Sequence, residues 1–517
     1  MERSHTPSEL ERPAKRARTE EPTEAPAPVA NVENGFATQD GIEEDYEGDA
    51  FEEEVSNDVA KGSDLYLDTI NRAALDFDFE KVCSVSTSNI NIYGCLVCGK
   101  YFQGRGRKSH AYAHSIHEDH HVFINLETTK VYVLPDGYVV SDPSLEDIAY
   151  VLAPTFTPAM VSLLSSTSHI SKPSYDLSGK PYLSGYIGLN NIKRNDYMNV
   201  VVQCLLHVSP LRDYLLLHPF TGKHSELLRR FSALAKKLWN PRLFKSQVSP
   251  HEFLQEVGRA SAGKFRLESQ SDPVEFLSWL LNQLHKDMGG TKRRNSSIMF
   301  STFQGEVRME TQQVIVQSHV LGHSKPRFDI DRDIKTATSP FLLLAADLPP
   351  PPLFQDAVEK NIIPQVGIHA VLSKFDGTTT QESRGQLRRY KCQRLPPYII
   401  VHYKRFTKNN FVEEKNPTIV NYPLRGVDFS PYIDAPASST PFVYDLVANV
   451  VLDSVAGTAR DKEHTVWKVH LRAGRGGGEN EKWFQIQDLI VEEIQKEMIF
   501  LGEAVLQIWE RRPVAAS

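Results

Sequence analysis

The chain has few cysteines, no long apolar run and no excess of positive charge. Its five cysteines are scattered over 517 residues, which argues against a disulfide framework and favours a reducing compartment. No apolar segment is long enough to cross a bilayer and the first residues do not form a secretory signal, so we expect an intracellular protein without a membrane partner. The net charge of -7 provides no global attraction to nucleic acid, so we expect any contact with RNA to be local or indirect.

What is present is enough apolar sequence for a large core, and the length predicts two or three domains. Residues 1–62 are rich in Glu, Ala, Pro, Thr and Asp and are predicted to be a disordered, charged tail. The tail contains the basic cluster Arg12-Pro-Ala-Lys-Arg-Ala-Arg18, which fits a nuclear import signal as well as it fits a solvated segment. Three further regions are predicted: a Cys/His-rich domain at 65–170, a linker at 171–186 and a long domain at 187–512.

The long domain changes along its length from helical to strand-like patterning. Asp272, followed by Pro, predicts the start of an apolar helix, and Ser249 with Glu252 forms a capping-box pattern for another. Apolar, β-branched runs follow, and these predict strands at 397–403, 444–452, 466–471, 483–486 and 504–509. The predicted fold class is therefore α+β.

Two cysteines and two histidines have a spacing typical of a structural metal site. Cys95, Cys98, His114 and His120 form the pattern C-x2-C-x15-H-x5-H. Two thiolates and two imidazoles make a closed tetrahedral set that suits Zn²⁺ and leaves no position for a catalytic water. The alternative is a pair of core cysteines beside surface histidines. The choice among histidines stays open, because the same stretch also contains His110, His117 and His121.

Three motifs in the long domain carry a resemblance to a known family. They are Gly188-Leu-Asn-Asn-Ile-Lys-Arg-Asn-Asp-Tyr-Met-Asn199, Ser269-Gln-Ser-Asp-Pro-Val-Glu-Phe-Leu277 and Leu395-Pro-Pro-Tyr-Ile-Ile-Val-His-Tyr-Lys-Arg-Phe406. These segments closely resemble the cysteine box, the Gln-Gln-Asp box and the Leu-Pro-Pro strand of ubiquitin-specific proteases. The resemblance implies a papain-like fold with a helical thumb and a β-rich palm and fingers, preceded here by a small zinc-finger domain.

The same resemblance implies that the catalytic residues have changed. Asp196 occupies the position of the nucleophilic cysteine, Val466 that of the histidine base and Gln487 that of the orienting carboxylate, whereas Asn191 matches the oxyanion-stabilising asparagine. A carboxylate would form an anhydride with an isopeptide and be expelled again, and valine accepts no proton. The resemblance thus implies a pseudo-deubiquitinase. From the residues alone, an aspartate before an apolar helix also acts as a helix cap, and we expect Asp196 to be one.

The segment from Cys83 to about Asp147 resembles the ubiquitin-protease-type zinc finger, which holds up to three zinc ions. The four ligands above match one complete site. In a second set Cys83 and His110 match ligands, but Ser86 and Gln103 replace the other two. The resemblance therefore implies one structural Zn²⁺.

Active members of that zinc-finger family grip the free carboxyl end of ubiquitin with an arginine and aromatic walls. Arg105 and Tyr138 match these positions, whereas other pocket positions do not. Ubiquitin contact is therefore one interpretation of Arg105, and an ordinary surface arginine is the other.

Over residues 65–512 the chain resembles the ubiquitin-protease-like splicing factors that associate with the tri-snRNP. Stretches that agree include Tyr101-Phe-Gln-Gly-Arg-Gly106 and Lys404-Arg-Phe-Thr-Lys-Asn-Asn-Phe411. The resemblance implies a nuclear, non-catalytic pre-mRNA splicing factor that stabilises the tri-snRNP, with spliceosomal proteins as partners and indirect contact with RNA. Two alternatives stay open: a catalytically silent ubiquitin-binding adaptor, and an active deubiquitinase with unorthodox catalytic residues.

Overall fold

A five-stranded antiparallel sheet organises the first described part of the chain. The computed structural model describes residues 65–317, 327–330, 334–350, 363–383, 385–408, 413–434, 441–455, 464–474 and 481–513, so the tail at 1–62 and its basic cluster lie outside the described residues. The sheet has the order β2-β1-β3-β4-β5. Its elements are β1 (Ile92–Cys95), β2 (Tyr101–Gln103), α1 (His110–His117), β3 (Val122–Asn125), β4 (Val131–Val133) and β5 (Tyr138–Val140).

Short elements lead from this sheet into a group of helices. They are α2 (Glu146–Leu152), α3 (Pro158–Leu164), α4 (Thr167–Ile170), β6 (Ser174–Tyr175), β7 (Pro181–Tyr182) and β8 (Gly188–Leu189). The predicted linker at 171–186 contains the antiparallel pair β6–β7, in which Ser174 is opposite Tyr182. The Tyr182 hydroxyl accepts a hydrogen bond of 2.7 Å from the Leu243 amide. This segment therefore makes its own contacts with the long domain, and its status as a boundary stays a prediction.

The helices that follow match the predicted helical half of the long domain. They are α5 (Asp196–Leu206), α6 (Ser209–Leu217), α7 (Glu226–Leu238), α8 (His251–Ala260), α9 (Pro273–Asp287) and α10 (Ile298–Phe303), with β9 (Gln247–Val248) between α7 and α8. No single described helix is long and apolar enough to cross a membrane, and only the sharply bent pair α5–α6, taken together, has the necessary length and composition.

One of the two predicted helix starts is confirmed and the other is wrong. Asp272 accepts a hydrogen bond of 2.7 Å from the Val274 amide and caps α9 as expected. By contrast, α8 begins at His251 with Pro250 as its N-cap residue and has no side-chain cap. The two groups that a capping box would join have other partners: the Ser249 amide donates to Asp78 Oδ2 at 2.8 Å, and Glu252 pairs with Arg230 on α7 at 3.0 Å.

Two larger sheets form the remainder of the fold. A five-stranded sheet has the path β11-β10-β16-β15, with β12 paired to β10, and an eight-stranded sheet has the path β13-β17-β26-β22-β23-β24-β25, with β21 paired to β22. The strands and one helix of this half are β10 (Gly305–Gln317), β11 (Arg327–Ile330), β12 (Lys335–Phe341), β13 (Leu344–Asp347), β14 (Gln365–Gly367), α11 (Ile368–Leu372), β15 (Gln381–Ser383), β16 (Gln386–Arg394), β17 (Tyr398–Lys404), β18 (Phe406–Lys408), β19 (Glu413–Lys415), β20 (Ile419–Asn421), β21 (Val427–Asp428), β22 (Val443–Val455), β23 (His464–Ala473), β24 (Lys482–Gln487), β25 (Ile490–Glu493) and β26 (Glu503–Arg511).

All five predicted strands are confirmed, as β17, β22, β23, β24 and β26, and the α+β fold class is confirmed with them. The eight-stranded sheet packs against α5, whose eleven residues are all buried. This burial explains the run of apolar residues at Val200-Val-Val, because the helix meets protein on every side. Packing of α5 on β22 and β23 fixes the position of its first residue, Asp196, against the sheet.

Candidate functional site

The four predicted zinc ligands come together at one end of the first sheet. One candidate ligand atom from each of Cys95, Cys98, His114 and His120 can be chosen so that all four lie within 4.8 Å of one another. Cys98 Sγ lies 3.4 Å from His114 Nε2, which in turn lies 3.0 Å from His120 Nδ1. Such separations suit a central ion with bonds of about 2.0–2.3 Å, the lengths of Zn–N and Zn–S bonds. The donor set and its spacing therefore fit Zn²⁺.

Local structure explains how these ligands are presented. Cys95 ends β1, and the chain turns back through Cys98 to β2 with Gly99 at a φ of 76°, where a side chain would be strained. His114 lies in α1 and stacks on Phe102 of β2, with ring centroids 4.2 Å apart. Hydrogen bonding between the two thiols lowers the pKa of Cys98 and raises that of Cys95. Zinc binds both cysteines as thiolates, so binding of the ion would release the proton that the pair retains.

In the second, incomplete set of ligands, Ser86, Gln103 and Cys83 make hydrogen bonds within the protein. Ser86 Oγ donates to Gln103 Oε1 at 2.9 Å, so the two residues that replace ligands bond to each other. The buried Cys83 sulfur accepts hydrogen bonds of 3.4 Å from the amides of Val85 and Ser86. Within the described ranges, no second group of three or more metal-ligating side chains comes together.

The two predicted ubiquitin contacts, Arg105 and Tyr138, both lie in the zinc-finger part of the chain but do not form one surface. The guanidinium carbon of Arg105 lies 4.7 Å from the ring centroid of Tyr132 in β4. Tyr138 is 39% exposed in β5, the strand that pairs with β4. Tyr132 is opposite Val139 and Tyr138 is opposite Val133, so the cation–π contact and the Tyr138 side chain lie on opposite faces of the sheet. The role of Arg105 and Tyr138 in binding stays a prediction.

Asp196 is held at the meeting point of α5 and β23. Its two carboxylate oxygens accept hydrogen bonds of 2.9 and 2.7 Å from Gln270 Nε2. The same Nε2 lies 3.1 Å from the Thr465 carbonyl, and Thr465 Oγ1 donates to Gln270 Oε1 at 2.8 Å. The Trp467 amide donates to Asp196 Oδ2 at 3.4 Å. Gln270 therefore connects the start of the helix to the strand.

The prediction that Asp196 precedes and caps the helix is wrong. Asp196 is the first residue of α5, and Asn195 is the N-cap residue. The carboxylate is engaged by Gln270 and the strand instead, while Asn195 Oδ1 accepts a hydrogen bond of 2.7 Å from the Ile192 amide in the preceding turn. Asp196 still places negative charge in the first helical turn, where the helix dipole favours it. Burial raises the pKa of the Asp196 carboxyl group.

A second, partly buried carboxylate, that of Asp488, lies near the first. Asn191 Nδ2 donates to Asp488 Oδ2 at 3.1 Å, and Asn199 Nδ2 lies 3.5 Å from Asp488 Oδ1. Asp488 rather than Gln487 thus makes the side-chain contact with Asn191. Burial, together with the charge of Asp196, raises the pKa of Asp488. The side-chain NH2 group of Asn191 therefore points to this carboxylate. The side-chain oxygen of Asn191, Oδ1, accepts a hydrogen bond of 3.1 Å from the backbone amide of Asn195.

Three other described side chains that carry a basic or nucleophilic group, those of His470, Cys204 and Cys392, are buried in the core. Val466 lies in β23 opposite Asp453, between the two residues that contact Gln270 and Asp196. His470, further along β23, is 2% exposed, and burial lowers its pKa to about 4, so it is neutral at pH 7. Cys204 is fully buried within α5, and burial raises the pKa of its thiol. Burial likewise raises the pKa of Cys392 to about 12.

Four residues of this cluster are not predicted from the sequence: Gln270, Asn195, Asn199 and Asp488. Three of them lie inside the motifs that carry the family resemblance, so the sequence indicated the segments to which they belong. The sequence did not indicate their hydrogen-bond partners, because Gln270 is 195 positions from Thr465 and Asn191 is 297 positions from Asp488.

Replacing Asp196 tests the electrostatic state of this cluster. Because the folded-state pKa is raised, the native state holds this proton more tightly than the unfolded chain does; the resulting stabilisation is present at low pH and is lost as pH rises through the folded-state pKa. We therefore expect the free energy of unfolding of Asp196→Asn, relative to the unmodified chain, to increase between acidic and neutral pH. Urea denaturation across that range measures it.

Asp196→Ala is the matched control, because it removes the charge and also the acceptor for Gln270. It should show the same dependence on pH but lower stability than Asp196→Asn at every pH. An identical pH dependence in the unmodified chain and both variants would contradict the raised pKa.

Comparison with known proteins gives matches over both parts of the chain. A family model described as ubiquitin carboxyl-terminal hydrolase matches residues 187–509, and one described as Zn-finger in ubiquitin-hydrolases and other protein matches residues 83–145. The chain is 50% identical over 454 residues to the probable mRNA-splicing protein ubp10 of Schizosaccharomyces pombe, covering 86% of this chain and 88% of that protein. It is 46% identical over 462 residues to ubiquitin carboxyl-terminal hydrolase 39 of Homo sapiens, covering 86% and 80%.

A solved structure described as that of an essential yeast splicing factor is also similar. It is 30% identical, superimposes with a TM-score of 0.68, and the match covers 87% of this chain and 100% of that one. The match extends across the zinc-finger and protease-like parts together, which confirms the two-part architecture expected from the sequence.

Proposed function

The chain belongs to the ubiquitin carboxyl-terminal hydrolase family, and we propose that within it this protein is a nuclear pre-mRNA splicing factor that uses the protease fold without its catalysis. The observation that carries the proposal is the set of hydrogen bonds made by Gln270, which connects Asp196 to Thr465. A cysteine protease needs a thiolate beside an imidazole at this place. Relatives that share about half of the sequence, and a structural neighbour, are named as splicing proteins.

The chemistry of the cluster supports the absence of catalysis. Attack on an isopeptide needs a free nucleophile and a base within hydrogen-bond reach, and a donor aimed at the developing oxyanion. Asp196 is bonded to Gln270, and the amide of Asn191 is bonded to Asp488, so the retained asparagine is committed to a neighbouring carboxylate. These hydrogen bonds give the cluster a structural role and leave neither side chain free for catalysis.

We further propose that the protein joins the spliceosomal tri-snRNP through contacts with its proteins, and that its zinc finger holds one Zn²⁺. The net charge of -7 supports contact through proteins rather than through the RNA backbone. The single complete Cys/His cluster among the described residues supports the count of one ion.

Two assays separate a scaffold from an enzyme. The purified full-length chain is expected to cleave no ubiquitin conjugate and to form no covalent adduct with a ubiquitin suicide probe, because no thiolate is available at the site.

The chain, when it is expressed with an affinity tag in the cells it comes from, is expected to co-purify with tri-snRNP proteins and snRNAs. Cells in which Asp196→Asn replaces the native protein are expected to splice normally. Cleavage that is lost in Asp196→Ala would contradict the proposal.

A ubiquitin-binding adaptor is the second candidate, and the contact of the exposed Arg105 with the Tyr132 ring favours it. In that case free ubiquitin should bind the zinc-finger surface, and Arg105→Ala should abolish binding. Arg107→Ala, at an exposed position two residues away, is the control. A flat titration at high ubiquitin concentration would eliminate this candidate.

A further inference from the structure

The eight-stranded sheet ends at an exposed strand. β25 is the last strand of the sheet path and, among the described residues, pairs with β24 alone. Ile490 in this strand is 55% exposed, and Leu489 in the turn before it is 43% exposed. Proteins usually avoid large exposed apolar side chains at the edge of a sheet, because such an edge pairs readily with another chain. This edge is therefore a candidate interaction surface.

The register of the ladder shows which backbone groups of β25 are free. In an antiparallel ladder, hydrogen-bonded pairs alternate with pairs whose N–H and C=O groups point away from each other. The Ile494 amide donates to the Trp483 carbonyl at 2.8 Å, so that pair is a hydrogen-bonded one. By alternation, Val491 and Glu493 direct their backbone groups away from β24. These N–H and C=O groups have no backbone partner among the described residues.

An apolar groove lies beside the free edge. Its volume is about 600 Å³, and both Val491 and Glu493 line it. That volume is within the range of about 300–1,000 Å³ that is usual for ligand pockets. Residues directly opposite each other in a sheet share a face, so a strand added next to β25 would direct the residue opposite Val491 into the groove. The apolar side chains that line it include those of Ile170, Pro173, Tyr182, Leu183, Phe484 and Val491.

The charges at the edge favour a basic occupant. Glu493, on the groove face, forms an ion pair with Lys482 at 2.8 Å. Glu492, on the opposite face, is exposed and has no ion-pair partner among the described residues. A lysine or arginine directly across from Glu492 would supply that partner, and such cross-strand pairs stabilise a sheet. A second copy of β25 would bring further glutamates to this edge and fits it less well.

We propose that β25 binds an extended segment of another protein, which adds to the sheet as one more strand. The segment has an apolar residue opposite Val491 and Lys or Arg opposite Glu492, so apolar and basic side chains alternate along it. Its backbone supplies the partners of Val491 and Glu493, and its apolar side chain enters the groove. In this mode of recognition main-chain hydrogen bonds give affinity and side-chain pockets give specificity. Binding of such a segment is independent of the splicing role proposed above.

The test begins with a phage-displayed library of random linear peptides, selected on the full-length recombinant chain. Enriched peptides are expected to alternate apolar residues with Lys or Arg. A synthetic copy of an enriched peptide then carries N-methyl groups on one or the other alternate set of its amides. One set should abolish binding and the other should preserve it, because only one set of amides faces β25. This comparison needs no variant of the chain.

Val491→Pro removes an outward N–H and leaves the hydrogen bonds between β24 and β25 in place. It should raise the Kd of the peptide about tenfold, because a carbonyl of the peptide loses its donor. Val491→Ile keeps the amide and the apolar surface, so it is the matched control and should bind as the unmodified chain does. Glu492→Lys should shift the selection towards peptides that carry Asp or Glu in place of Lys or Arg.

Three results would overturn the proposal: no alternating pattern among the selected peptides, equal peptide binding by Val491→Pro and the unmodified chain, or equal effects of the two N-methylation patterns. Analytical ultracentrifugation of the free chain adds a fourth. A dimer that is lost in Val491→Pro would assign the edge to a second copy of this chain instead of a partner protein.

Discussion

Cys98→Ser is expected to lose the metal and to unfold the sheet β1–β5. Serine is a poor ligand for zinc, and the three remaining donors leave the tetrahedral set open. Apparent binding free energies for structural zinc in small fingers are about 10–16 kcal/mol at pH 7, and that energy is folding energy. The strands of this sheet have only three or four residues each, so the metal is expected to contribute much of the local stability. Zinc content and hydrogen exchange of β1–β5 measure the effect.

Cys83→Ser is the matched control, because Cys83 is buried in the same small domain but is not one of the four clustered ligands. It should keep the full zinc content and lose only a modest amount of stability. Full zinc content in Cys98→Ser, or equal loss of zinc in both variants, would contradict the assignment of the site.

The metal cluster was predictable because its pattern is local in sequence. Cys95 and Cys98 share one turn, and α1 with the loop after it supplies both histidines. The strands were predictable for a similar reason, since alternating or continuous apolar runs of β-branched residues indicate buried strands without knowledge of their partners. The fold class followed from these runs, and the family resemblance added the order of the parts.

The Asp196 cluster was not predictable in the same way. The helix pattern after Asp196 indicated that a helix begins there, but a capping role depends on which donors reach the carboxylate. Gln270 reaches it from 74 positions away, and this tertiary contact replaces the local one. At Ser249 the capping box does not form for the same reason, since the Ser249 amide donates to Asp78 and Glu252 pairs with Arg230 on α7. Local rules name the residue types at a helix start, whereas long-range partners decide their contacts.

The segment before the zinc finger is joined to the long domain by buried charges. Lys237 Nζ on α7 donates to Asp78 Oδ1 at 2.8 Å and to the Phe77 carbonyl at 2.9 Å. The other oxygen of Asp78 accepts from the Ser249 amide at 2.8 Å. Burial disfavours the ammonium, but the charges of Asp78, Glu252 and Asp76 outweigh this effect, and the pKa of Lys237 is raised. Asp78 therefore satisfies two donors from different parts of the long domain.

Asp78→Ala should destabilise the chain by about 3 kcal/mol, because it leaves the Lys237 ammonium largely buried without its counter-charge. This value is the low end for a broken buried pair, since the Asp78 side chain keeps 24% exposure. The midpoint of urea denaturation measures it. In Asp78→Ala with Lys237→Met no uncompensated charge remains, so we expect this double variant to regain more than half of the lost stability. If Lys237→Met lowers the stability of the Asp78→Ala chain by as much as it lowers that of the unmodified chain, the two side chains do not act as a pair.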